Sequence, residues 1–220
     1  MSKAEFIRQN TSVMCPPLVP EIRLHLAHEA VPLWQKTEEE LGEMGLAPPF
    51  WAFAWAGGQA LARYVLDHSE VVAGCRVIDL AAGSGLVGIA AMKAGAQHVV
   101  AADIDEFSGE AIGINAALND VVVEVITHDL LESPPPPLID VILVGDLFYE
   151  QGLAAKCYEW LRDASAEGIS VLIGDPGRTY LPKDRLEKVA EYSVPVSRDL
   201  EDAEIKQSAV WRLAGILTLT

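Results

Sequence analysis

One stretch constrains this chain more than any other: Val77-Ile78-Asp79-Leu80-Ala81-Ala82-Gly83-Ser84-Gly85-Leu86-Val87-Gly88. A β-branched apolar run ends in a carboxylate. A loop of small residues follows, and a helical pattern begins at Leu86. A strand, loop and helix in this order bring a nucleotide-like ligand to a helix N-terminus. Small residues in the loop let backbone N–H groups come close to that ligand. The stretch therefore marks a cofactor site.

The loop alone leaves the cofactor open. Gly83-x-Gly85-x-x-Gly88 fits the dinucleotide fingerprint, and Asp103, in Ala101-Ala102-Asp103, lies about 20 residues on, where a ribose ligand is expected. Asp79 before the loop gives the other pattern, Asp-x-Ala-x-Gly-x-Gly. This resembles the Asp/Glu-x-Gly-x-Gly-x-Gly of class I S-adenosylmethionine-dependent methyltransferases, with Ala81 in the first glycine place. Alanine there is expected to take an ordinary backbone angle after a small local adjustment.

The flanking sequence repeats the alternation. Strands are expected at 76–80, 98–102, 121–126, 140–145 and 169–174, and helices at 57–68, 86–95, 107–118, 151–166 and 181–190. Strands alternating with helices form a parallel sheet covered on both faces. Residues 192–196 and 209–217 are expected to add an antiparallel C-terminal hairpin. The expected class is α/β, a Rossmann-like, seven-stranded, mostly parallel sheet with helices on both faces. Residues 1–18 read as a loose tail and 20–41 as two short helices broken at Pro32. On this reading 1–47 form an N-terminal helical flank, and 48–220 carry the site in one compact whole. A dehydrogenase would add a separate substrate domain after its fingerprint half. Residues 147–220 suffice only to finish one sheet.

Two further segments border the expected ligand side. Asp140-Val141-Ile142-Leu143-Val144 runs into Gly145-Asp146-Leu147-Phe148-Tyr149, which puts a carboxylate and two aromatics at the carboxyl end of a central strand. Pro48-Pro49-Phe50-Trp51-Ala52-Phe53-Ala54-Trp55-Ala56-Gly57-Gly58 is an aromatic entry bounded by turn residues. Trp51, Trp55-x-Gly57-Gly58, Asp79 with its loop, Asp103 and Gly145-Asp146-x-x-Tyr149 together resemble the seven-β-strand protein lysine methyltransferases. Within these the chain is most similar to the electron-transfer flavoprotein β-subunit lysine methyltransferases, in a bacterial form, over about residues 20–215.

The resemblance implies S-adenosylmethionine as cofactor and a role for each site residue. Asp103 would accept the ribose hydroxyls, with Ile104 beside it. Asp129 and the Leu130 N–H would meet the adenine. Ala82, Gly83, Gly85 and Gly145 would leave room for the methionine portion, Asp79 would order the loop near its ammonium, and Trp55 would face the sulfonium. Asp146 and Tyr149 would be catalytic, orienting the acceptor amine. Phe50, Trp51 and Phe148 would line the acceptor channel, and Arg178 is expected there from its own position, in the turn that ends the strand at 169–174 on the ligand side of the sheet. The implied acceptors are lysines of the electron-transfer flavoprotein β subunit, with a ribosomal stalk protein as a second. The competing readings are a small-molecule amine methyltransferase of nicotinamide-like substrates and a dinucleotide-dependent oxidoreductase.

Composition narrows the partners. Sixteen Lys and Arg against 32 Asp and Glu give a net charge of −16, which repels nucleic acid and attracts a cationic segment. No apolar run reaches membrane-spanning length. The five histidines are scattered, so no metal site is expected. Three cysteines without metal spacing suit a reducing cytoplasm. A monomer is expected.

Overall fold

The computed structural model describes residues 2–27, 48–196 and 205–213. In chain order the elements are α1 (Lys3–Asn10), β1 (Ser12–Met14), β2 (Leu24–Leu26), α2 (Ala56–Asp67), β3 (Arg76–Leu80), α3 (Leu86–Lys93), β4 (His98–Ala102), α4 (Glu106–Leu118), β5 (Glu124–Ile126), β6 (Val141–Gly145), α5 (Gln151–Ala166), β7 (Ser170–Asp175), β8 (Leu186–Pro195) and β9 (Ile205–Leu213). The main sheet has the order β5-β4-β3-β6-β7-β9-β8. Its first five strands are parallel, and β9 runs antiparallel to both β7 and β8. The expected seven-stranded, mostly parallel sheet with its closing hairpin is therefore present.

Strand periodicity divides the core into two layers. Val77, Val99, Leu143 and Leu172 face one side, where Leu61 and Val65 of α2 and Ile89 of α3 pack on them. Their neighbours Ile78, Val100, Ile142 and Val171 face the other side, against Cys157, Trp160 and Leu161 of α5. Near-continuous apolar strands are what a sheet buried on both faces requires. The backbones of α2 and β7 nearly touch. A Cβ built on Gly57 would lie 2.4 Å from the Gly174 carbonyl oxygen, so only glycine permits this crossing. It seats the start of α2 on the carboxyl edge of the sheet.

Three expectations change. Residues 1–18 are not a loose tail. α1 opens with a capping box in which Ser2 and Glu5 satisfy each other's backbone N–H groups, and β1 pairs with β2. Residues 20–27 are not helical, because Leu24 and Leu26 are buried with His25 between them, a period of two. The rest of the expected helical flank, 28–47, lies outside the described residues. The expected helix at 181–190 is mostly strand β8. Its closely spaced charges, Glu187, Lys188 and Glu191, mimic a helix face, but they decorate the outermost strand, where charge blocks unwanted pairing.

β2 and the residue before it dock on two buried asparagines, Asn115 of α4 and its C-cap Asn119. The His25 N–H donates to Asn115 Oδ1 at 2.8 Å, and the Arg23 N–H to Asn119 Oδ1 at 3.0 Å. Asn115 Nδ2 in turn donates to the Ser84 carbonyl at 2.8 Å. One buried side chain thus ties the N-terminal hairpin to the small-residue loop.

Candidate active site

The chain leaves β3 for β4 and β5, then returns to β6 on the other side of β3. Ligands bind in the crevice that such a reversal opens at the carboxyl edge of the strands. A cavity of about 400 Å³ lies there, within the range of small-molecule sites. Each of the four central parallel strands brings an aspartate to this edge: Asp79 on β3, Asp103 after β4, Asp146 after β6 and Asp175 at the end of β7. Asp79, Asp103 and Asp146 line the cavity, and Asp175 lies off its wall.

Asp79 is almost wholly buried yet borders the cavity. Its Oδ2 accepts the Gly88 N–H of α3 at 2.7 Å. Burial pushes its carboxyl up to about 7; the Gly88 N–H opposes this, and the nearby Asp103 charge adds to it. Asp103 accepts the Gly83 N–H on Oδ2 at 2.8 Å and the Asp105 N–H on Oδ1 at 3.0 Å. Burial raises its carboxyl, although these bonds and one with Ser108 pull the other way. With Gly83, Asp105, Ser108 and Ile104 all donating to it, Asp103 has its lone pairs taken up by the loop, so a ribose hydroxyl would share or replace one of these donors. Asp105 is the N-cap of α4, with its carboxylate on the Phe107 N–H, and Glu106 lies in the first turn.

The loop shows one correction. Ala81 has φ +54°, so it keeps the left-handed backbone that a glycine would take there. Its neighbours Ala102 and Asp103 dictate the path, since the Ala82 N–H donates to the Ala102 carbonyl and the Gly83 N–H to Asp103. Ala82 and Gly83 line the cavity. Gly85 does not; at φ +79° it starts α3, and a Cβ there would press on Ile112 at 3.2 Å.

At the far end of the cavity, Asp129 caps a short turn, accepting the Leu131 N–H at 2.9 Å and Lys156 Nζ at 2.7 Å. Burial raises its carboxyl, but these donors outweigh it and the pKa lies below the ordinary value. Leu130, Ile104 and Gly145 line the cavity with it.

Phe50, Trp55, Asp146, Tyr149 and Arg178 together line another part of the cavity wall. The Trp55 Nε1–H donates to the Phe50 carbonyl at 3.0 Å, and the Phe50 ring meets those of Trp55 at 5.9 Å and Tyr149 at 5.6 Å. Tyr149 is 45% exposed at the mouth. Its phenol is raised by burial and by Asp103, Glu150 and Asp146, so it stays protonated at neutral pH. Asp146, at φ +60°, accepts the Gly57 N–H on Oδ2 at 2.9 Å and pairs with Arg178 Nε on Oδ1 at 2.6 Å. It thereby caps α2 and not the helix that follows it in sequence.

Two expected channel residues lie elsewhere. Trp51 is 2% exposed and stacks on Phe107 at 6.2 Å, joining the core under the N-terminal hairpin. Phe148 is fully buried among the residues that face α5. Both follow from alternation beside an exposed neighbour: in Phe50-Trp51 and Phe148-Tyr149 one ring turns out and the other in. Two residues were not assigned a role in advance, Asp175 and Asn115. Asp175 carries the same signal as its three counterparts, an aspartate closing an apolar strand. Asn115 is a polar residue in the otherwise apolar run Ile114-Asn115-Ala116-Ala117. Among the described residues no group of His, Cys, Asp or Glu is arranged to hold a metal ion.

The site fits S-adenosylmethionine on its donor set. The Asp79 and Asp103 carboxylates border the cavity, and Leu80, Leu86 and Val87 give it apolar walls. Comparisons with known proteins agree with this chemistry. A model of the family described as ribosomal protein L11 methyltransferase (PrmA) matches residues 59–147. The electron transfer flavoprotein beta subunit lysine methyltransferase of Xenopus laevis is 39% identical over 212 residues, which is 94% of this chain and 85% of that protein. Its counterpart in Rattus norvegicus is 36% identical over 213 residues, 94% and 82% of the two chains. Among solved structures, the ribosomal protein L11 methylase of Lactobacillus delbrueckii subsp. bulgaricus shares the fold, with a TM-score of 0.52 and 23% identity over 77% of this chain and 83% of that one. Identity at this level across nearly the whole length of both partners shows that this chain belongs to the electron transfer flavoprotein beta subunit lysine methyltransferase family.

Proposed function

We propose that this protein transfers methyl groups from S-adenosylmethionine to lysine side chains of the electron-transfer flavoprotein β subunit, with a ribosomal stalk protein as a second acceptor. The observation that carries this reading is a single cavity with a donor end at Asp79, Gly83 and Asp103 and an aromatic mouth at Phe50, Trp55 and Tyr149. When bound, the cofactor supplies an electrophilic methyl on a sulfonium. The residues of this chain do the rest. Asp103 and the Gly83 loop hold the ribose side, and Asp79 faces the ammonium. Trp55 offers an indole face to positive charge, worth about 0.5–2 kcal/mol.

The acceptor must arrive as a neutral amine. Deprotonating a lysine of pKa 10.4 at pH 7.4 costs roughly 4 kcal/mol, at 1.36 kcal/mol per unit. Water takes that proton. Asp146 and Tyr149 then place the nitrogen lone pair in line with the methyl, and positioning supplies most of the acceleration. The aromatic mouth suits the apolar stem of a lysine with its amine at the tip. The net charge of −16 draws a cationic segment to it. We place the protein in the cytoplasm, a reading supported by the free thiols of Cys15, Cys75 and Cys157. Among the described residues no helix is long and apolar enough to cross a membrane.

The test is to incubate enzyme, S-adenosylmethionine and purified flavoprotein, and to map methyl-sized mass shifts by peptide sequencing. Methyl groups confined to lysines of the β subunit support the proposal. An unmodified flavoprotein beside rapid methylation of nicotinamide or another small amine overturns it.

A further inference from the structure

Arg178 puts a fixed positive charge where a cationic side chain is to be received. Its Nε lies 2.6 Å from Asp146 Oδ1, and its guanidinium carbon 5.9 Å from the Trp55 ring centre. Its backbone is held as well. Asp175, 1% exposed, accepts the N–H groups of Gly177 and Arg178 on Oδ1 at 2.6 and 2.7 Å. The turn after β7 thus presents this cation to the carboxylate after β6.

A catalytic problem explains the arrangement. A carboxylate alone on a dry cavity wall favours the charged form of any amine brought to it. It would hold a lysine as its ammonium, which has no lone pair to give. Asp146 stands on that wall, with its side chain 3% exposed and Arg178 on its Oδ1. Arg178 cancels that charge without removing Asp146 as a hydrogen-bond acceptor.

Resting on the methyl-transfer reading above, we propose that Arg178 is a charge-compensating residue that acts through Asp146, so that the acceptor end admits the unprotonated amine in preference to the ammonium. The proton leaves for water first. The amine lone pair then forms the new N–C bond, and the C–S bonding pair returns to sulfur. Arg178 takes part in neither bond.

Among the described residues, Asp175, Tyr149 and Asp103 do not replace it. Asp175 is off the cavity wall, its Oδ1 is covered by its own turn, and its Oδ2 is buried without a partner. Burial and the nearby Asp146 hold its carboxyl at about 6, below the range in which an amine is read. Tyr149 stays protonated, and Asp103 lies across the cavity, engaged with the Gly83 loop.

The experiment measures kcat and acceptor KM against pH, with saturating S-adenosylmethionine and the flavoprotein as acceptor, for the wild type, R178Q, R178M and R178K. The acidic limb of kcat reports the amine in the complex. A unit charge about 6 Å from the amine, at an effective dielectric constant near 20, is worth about two pKa units. In R178Q the limb should move up by about one to two pH units, so that rate falls about tenfold to a hundredfold near neutrality and returns at high pH. Acceptor KM should stay level or fall, since the ammonium now binds better. R178M should match R178Q, and R178K should keep the wild-type limb. An equal loss at every pH, or an unmoved limb in whichever of R178Q and R178M folds, overturns the proposal. A wild-type enzyme that transfers no methyl to lysine overturns both readings; one that does, with an unmoved limb, overturns this one alone.

Discussion

Lowering the pH from 8 to 6 should weaken binding of S-adenosylhomocysteine through Asp79. Burial pushes this carboxyl up to about 7, and it borders the cavity, where we propose that it faces the ligand's ammonium. The ligand's amino group stays protonated throughout this range, so it needs the ionised carboxylate. With a pKa near 7, about 9% of the enzyme is ionised at pH 6 and about 91% at pH 8, so apparent Kd should rise about tenfold between them. Titration calorimetry at pH 6, 7 and 8 measures this. Asp79→Asn can still accept the Gly88 N–H but carries no charge; its Kd should be weak and nearly flat with pH. The same group has an opposite effect on stability. Its folded pKa lies above its unfolded value, so between about pH 4 and 7 the native state holds the extra proton. Stability therefore falls as pH rises through that window, by up to about 4 kcal/mol at 1.36 kcal/mol per unit. The gain in Tm on Asp79→Asn should be larger at pH 8 than at pH 5. A wild-type Kd that is flat from pH 6 to 8 in folded protein would refute the placement of Asp79 at the ammonium.

Other outcomes follow from the loop and the crossing. Asp103→Ala removes the acceptor for the Gly83 N–H as well as the ribose contact, so S-adenosylhomocysteine should bind about tenfold to a hundredfold more weakly by calorimetry; unchanged affinity removes Asp103 from the site. Ala81→Gly relieves a left-handed alanine at φ +54°, and Tm by calorimetry should rise by about 2–4 °C for roughly 1 kcal/mol; a fall in Tm would show that loop entropy outweighs strain. Gly57→Ala drives a Cβ to 2.4 Å from the Gly174 carbonyl. The helix must shift, with a loss of about 3 kcal/mol or more and a Tm lower by roughly 6–12 °C; an unchanged Tm would mean the crossing is looser than described.

The sheet was legible because its signals are redundant. β3, β4, β6 and β7 are short apolar runs with a small or acidic residue at or just after their ends, and the connections β3–β4, β4–β5 and β6–β7 each carry a helix, so one misread residue changes nothing. The termini lack that redundancy. Ser2-x-x-Glu5 is a readable capping signature, yet it precedes only eight helical residues, too few to be stable in isolation. α1 is held by its packing on α4, where Phe6 meets Phe107 at 5.4 Å, a contact that local sequence does not announce. Likewise Leu24-His25-Leu26 is too short to tell strand from helix without its partner β1.

The site was legible to the extent that single residues carried its chemistry. Thirteen of the residues expected there line the cavity: Phe50, Trp55, Asp79, Ala82, Gly83, Asp103, Ile104, Asp129, Leu130, Gly145, Asp146, Tyr149 and Arg178. Motif spacing places a residue at the end of an element. It does not say which way a side chain turns in an adjacent aromatic pair, and Trp51 and Phe148 were lost on that point. Nor does it show pairing between loops. Asp146 and Arg178 are 32 residues apart in sequence and meet because β6 and β7 are neighbours in the sheet. Read singly, Asp146 is a carboxylate aimed at an amine. Read with Arg178, it is an acceptor whose charge is already met, and that difference decides whether a lysine arriving there keeps its proton.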